Sequence, residues 1–110
     1  MKKFADAFNG LKLALKHKAV MVQVVLGLCA IIGGIIIKLD YFEWLVFILC
    51  IGLVIMAEII NTSIEQIGNY LTNKNDIKIK IIKDLASASV LVISVIAFCI
   101  AVLTVLRRII

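Results

Sequence analysis

The sequence predicts an all-α integral membrane protein: an N-terminal amphipathic helix lying in the membrane interface, followed by three transmembrane helices, in one domain covering residues 1–110. Three observations predict it. Of the 110 residues, 64% are hydrophobic and only 17% charged, whereas soluble domains run to about half apolar and a quarter charged. The charges are segregated, leaving residues 19–37, 45–57 and 85–106 with none. The chain also has no proline, so nothing forces its helices to break.

Residues 1–18 are too polar to span. Phe4, Phe8, Leu11 and Leu15 share one helical face, and Lys2, Asp6, Asn9, Lys12 and Lys16 take the other. This is the pattern of a helix lying on a membrane with its lysines toward lipid headgroups. Leu13 and Lys18 depart from it. A cleaved signal peptide is the competing reading, but the polar segment is long for one and no small-residue cleavage site follows, so the segment is expected to stay.

Residues 19–37 are long enough to cross a bilayer. Gln23 is their only strongly polar side chain, and Gly27, Gly33 and Gly34 offer places for another helix to come close. Residues 38–43 then form a short connection, so the first two spans are expected to make an antiparallel hairpin, with Tyr41 and Trp44 in the headgroup region. The second span is read as residues 44–70. Its uncharged part ends at Ala57 after about 21 Å of helix, short of a core of about 30 Å. The helix must therefore carry Glu58 into the membrane before it emerges on the cytoplasmic side. Residues 71–83 are the most polar stretch and read as a cytoplasmic loop. The alternation from Ile77 to Ile81 would suit a strand, but such a strand has no partner at a membrane surface. Residues 84–106 form the third span, opened by the small residues Ala86, Ser87, Ala88 and Ser89.

Lysines gather in the N-terminal segment and in residues 74–83, which places both in the cytoplasm by the positive-inside rule. Arg107 and Arg108 then fall outside. The net charge of +5 is accounted for by orientation and contact with anionic lipid. No basic groove with interleaved aromatics is visible, so nucleic-acid binding is not expected. Cys29, Cys50 and Cys99 have no metal-ligand spacing, and His17 is the only histidine, which argues against a histidine-based metal site or catalytic triad.

The stretch from Glu58 to Asn69, EIINTSIEQIGN, asks for a functional explanation. At about 100° per residue, Glu58, Asn61, Thr62, Glu65 and Asn69 fall on one helical face. Ionisable groups inside a span are costly and mark functional sites, although a polar seam holding helices together is the plainer alternative. Carboxylates at one wet boundary suggest magnesium ligands, a general base or proton carriers. Magnesium usually takes one or two carboxylates together with phosphate and water. Phosphoryl transfer also needs cations near the phosphates, and Lys83 beside Asp84 stands at the cytoplasmic start of the third span. Neither GxGxxG nor GxxxxGK[ST] is present, so a nucleotide would be bound by another construction. A proton-coupled exporter is disfavoured because the first span carries no acid.

Glu58-x-x-Asn61-Thr62-Ser63-Ile64-Glu65, followed 18 residues after Glu65 by Lys83-Asp84 and a small-residue helix start, resembles the prokaryotic diacylglycerol kinase family, which includes the undecaprenol kinases of Gram-positive bacteria. The resemblance extends over nearly the whole chain, with Phe8-Asn9-Gly10 at the family's aromatic-x-Gly segment. It implies an ATP- and Mg2+-dependent lipid kinase of the bacterial inner membrane, acting on diacylglycerol or undecaprenol as a homotrimer with shared active sites. Glu58 then corresponds to the base that accepts the lipid hydroxyl proton, and Glu65 to a metal-binding glutamate. Asn61, with Thr62 beside it, would orient the reacting groups. Lys83 would contact ATP phosphates, with Asp84 in the nucleotide region.

The sequence also departs from the family pattern. Lys18 stands where a second metal-binding glutamate is expected, Val22 where an arginine is, Asn69 at the motif's terminal aspartate and Asp76 at a loop histidine. These departures define the alternative, a non-catalytic relative that keeps the scaffold and binds lipid or protein.

Overall fold

The computed structural model describes residues 2–71 and 76–110, and these form four α-helices: α1 Lys2–Leu15, α2 Lys18–Ile37, α3 Tyr41–Leu71 and α4 Ile77–Ile109. The last three have 20, 31 and 33 residues and are long and apolar enough to cross a membrane. At 1.5 Å per residue α3 and α4 reach about 45–50 Å, well beyond a hydrocarbon core of about 30 Å. Each therefore has a stretch to spare outside the apolar layer.

α3 is the central helix, with α2 and α4 packed against it. Pairings along both hairpins show antiparallel neighbours. Gly27 faces Ile51 and Gly34 faces Trp44 across the first hairpin. Across the second, Glu43 near the start of α3 meets Arg108 near the end of α4, and Asn69 near the end of α3 meets Lys83 near the start of α4. The approach at Gly27 is close: a Cβ there would lie 2.8 Å from Ile51 Cγ2. Gly33, by contrast, opens onto empty space, so of the three glycines expected to admit a neighbouring helix two do so.

The turn between α2 and α3 is tighter than the sequence predicts. α2 ends in a Schellman arrangement, with Leu39 N–H donating to Gly34 O at 3.1 Å and Lys38 N–H to Ile35 O at 3.3 Å. Lys38 accordingly takes the left-handed conformation (φ 58°) that glycine usually supplies. Two residues later α3 opens with a capping box. Glu43 N–H donates to Asp40 Oδ1 at 2.9 Å, and Asp40 N–H donates to Glu43 Oε1 at 3.1 Å. The residues from Tyr41 to Glu43, read as connection from sequence, are thus the first turn of α3.

A larger correction concerns residues 71–83. Leu71 is the last residue of α3, and residues 77–83 are helical, extending α4 by two turns below the apolar span. Asp76 caps this extension, accepting from Lys78 N–H at 2.8 Å and Ile79 N–H at 3.3 Å. The alternation of isoleucine and lysine does not make a strand, because a cap and an uninterrupted helix downstream satisfy the backbone more cheaply than an unpaired extended segment. Residues 72–75 of the expected loop lie outside the described residues.

The single chain has little apolar core. Ala14, Val20, Leu39, Phe47 and Ala86 are buried, as are the polar Glu43, Glu58, Asn61 and Thr62. Large side chains along α4 stay exposed, Phe98 at 71% and Leu91 at 65%, as suits surfaces that meet lipid or other helices rather than water.

Candidate active site

The polar stripe occupies the last four turns of α3. Residues at i, i+3, i+4 and i+7 share a helical face, and here that face is turned inward: Glu58 and Asn61 are each 6% exposed and Thr62 9%. Glu65 is half-buried and Asn69 exposed, so the stripe runs from a buried end to an open one.

Asn61 joins the two acids. Its Nδ2 donates to Glu58 Oε1 at 3.3 Å and to Glu65 Oε1 at 3.2 Å. Two carboxylate acceptors dictate the amide's orientation, since turning it would set Oδ1 against both anions. Asn61 Oδ1 is left buried with no hydrogen-bond partner among the described residues. A buried acceptor without a donor is costly and uncommon in native proteins. This one, between two carboxylates, is suited to meet a cation or a hydroxyl.

Of the two residues expected from α4, one reaches the stripe. Lys83 Nζ donates to Asn69 Oδ1 at 2.6 Å. Gly68 permits this approach, because a Cβ there would lie 2.7 Å from Lys83 Cε and 3.1 Å from Ile79 Cγ2. Asp84 does not join the stripe; it pairs with Lys80 at 2.7 Å on the exposed side of α4. Among the described residues, no three acidic, histidine or cysteine side chains gather into a ready-made metal cage. Lys18 is exposed at the first turn of α2 and forms no ion pair among the described residues. Val22 is 46% exposed on α2, and Asp76 serves as the α4 cap.

A cleft of about 600 Å3 runs between α1 and α3, with Gly10, Leu11, Ala14 and His17 on one wall and Thr62, Ser63 and Gln66 on the other. Thr62 lies next to Asn61 in the chain and lines this cleft, so the cleft adjoins the stripe. The participation of His17 in its wall was not legible from sequence. His17 falls at the break between α1 and α2, where helical periodicity stops being informative.

A family model described as prokaryotic diacylglycerol kinase matches residues 5–105. The undecaprenol kinase of Bacillus subtilis (strain 168) is 35% identical over 81 residues, which cover 73% of this chain and 66% of that relative's length. No solved structure gives a significant match. With four helices among its described residues, three of them able to span a membrane, a carboxylate–amide–carboxylate stripe at the end of the second of these three, and a family match over nearly its whole length, the chain belongs to the prokaryotic diacylglycerol kinase family.

Proposed function

We propose that the protein is an ATP- and Mg2+-dependent lipid kinase that phosphorylates the hydroxyl of diacylglycerol or undecaprenol at the cytoplasmic face of a bacterial inner membrane. The observation that carries this reading is the Glu58–Asn61–Glu65 bridge with its buried, unpartnered amide oxygen. Family membership supports a lipid kinase, and the name of the Bacillus relative supports a polyprenol as one acceptor.

In this mechanism the lipid enters along the cleft beside Thr62, and its hydroxyl reaches Glu58, the deeper acid. The Glu58 carboxylate takes the hydroxyl proton as the oxygen attacks the γ-phosphorus of ATP. The bond from that phosphorus to the β–γ bridging oxygen breaks, and ADP leaves. Lys83 meets the phosphates from the open end, with Asp84 holding Lys80 in the same region. Asn61 keeps the two acids at fixed positions and orients the hydroxyl. Glu65 and Asn61 Oδ1 offer the oxygen ligands that magnesium accepts, and a pair of this kind suits an ion carried in by the nucleotide. When bound, Mg2+ neutralises charge on the phosphates.

The N-terminal helix is proposed to lie in the interface, and the chains to assemble as a homotrimer. Both follow the family resemblance and accord with the exposed Phe4 and Phe8 and with the sparse core of one chain. The test is an assay of the purified full chain in bilayers containing both lipids, with labelled ATP and magnesium. Transfer to either lipid supports the reading and identifies the acceptor. Binding of both lipids without transfer would establish the non-catalytic alternative.

A further inference from the structure

We infer that Asn69 is a positioning residue for Lys83, holding the ammonium at the mouth of the site without neutralising it. The inference rests on the kinase reading above, in which Lys83 meets the nucleotide phosphates. The structural contact itself stands independently of that reading. Lysine offers only donors, so the atom of Asn69 that meets Nζ at 2.6 Å must be the amide oxygen. An amide oxygen is a strong acceptor with no net charge. Lys83 is therefore held in one place and keeps its full positive charge for an incoming anion.

The surrounding charges are arranged differently. Lys80, one turn earlier on α4, is paired with Asp84 at 2.7 Å. Lys83 has no carboxylate within ion-pair distance among the described residues. Gly68 adds a second constraint, since its missing side chain is what lets the Lys83 stem lie against α3. Tethered by Asn69 at its tip and seated against Gly68 along its stem, Lys83 has lost much of the rotamer freedom that a surface lysine would give up on binding phosphate. Asn69 stands one helical turn beyond Glu65, so the tether fixes the cation on the same face of α3 as the acids.

The aspartate that the family pattern has at this position would pair with Lys83 and cancel its charge. Asn69→Asp separates the two possibilities while preserving shape. The experiment measures the KM for MgATP, kcat and the KM for lipid for the wild-type chain, Asn69→Ala, Asn69→Asp and Lys83→Ala, with direct MgATP binding alongside. The expected result is a rise of about tenfold in KM for MgATP in both Asn69 variants, with kcat and lipid KM within about twofold of wild type. A lesion that only loosened the fold would move all three.

Lys83→Ala tests the underlying reading separately. If it binds and uses MgATP like wild type, Lys83 is not a phosphate contact and both readings of it fall. If Lys83→Ala is crippled while both Asn69 variants match wild type, only the tether is overturned. Higher activity in Asn69→Asp would also overturn it, and would mark Asn69 as a lost acid.

Discussion

Asn61 is the residue whose surroundings most constrain the chemistry. It donates to two carboxylates through one nitrogen and buries an oxygen that no partner among the described residues satisfies. Substituting Asn61 with Ala would free both glutamates to rotate and remove the orphan acceptor. Phosphate transfer is then expected to fall about a hundredfold in kcat, the scale of loss when reacting groups are misplaced by about an ångström. Steady-state assays at saturating ATP and lipid measure it, and an unchanged kcat would remove Asn61 from the orienting role. This constellation was legible in the sequence because i, i+3, i+4 and i+7 spacing puts the residues on one face whatever the tertiary structure. The Asn69–Lys83 contact was not. It joins residues 14 apart on two different helices, and α4 begins two turns earlier than the polarity of its first residues suggests.

At the scale of elements, the two ends of the α3–α4 pair are fastened by different chemistry. The end at Asn69 uses a hydrogen bond from the Lys83 ammonium to an uncharged amide, and the opposite end uses an ion pair. Arg108 donates to Glu43 Oε1, the same oxygen that accepts from Asp40 N–H in the capping box. Glu43 is 9% exposed, so removing its cation leaves a buried carboxylate short of a donor. Arg108→Ala is expected to lower stability by about 1–3 kcal/mol, read from unfolding in mixed micelles, whereas Arg107→Ala should do much less. Equal effects would mean that the pair contributes nothing specific. Of the two arginines that the positive-inside pattern would leave on the outer side, Arg108 is thus paired within the chain. The three apolar runs were legible in sequence because span length and lack of charge are local properties. Helix ends were less legible. Asp76 and the Asp40–Glu43 pair are capping signals, but in this chain they sit among polar residues that resemble loop.

For the whole molecule, the proposed phosphoryl transfer requires the stripe to open on the side where ATP is found. The amino terminus and the start of α4 should then share the cytoplasmic face, with the α2–α3 turn opposite. Single cysteines at Lys3, Tyr41 and Lys78, in a chain whose own cysteines are replaced, would be labelled in intact cells by a membrane-impermeant maleimide. Only the Tyr41 position should react before lysis; labelling of Lys78 from outside would put the acids on the wrong side. Glu58→Gln keeps the shape of the side chain and its contact with Asn61 while removing the base proposed to take the proton from the lipid hydroxyl. Phosphate transfer from labelled ATP to lipid is expected to drop by at least about a hundredfold while the protein stays folded and its assembly unchanged. Turnover at the wild-type rate in that variant would exclude Glu58 as the base.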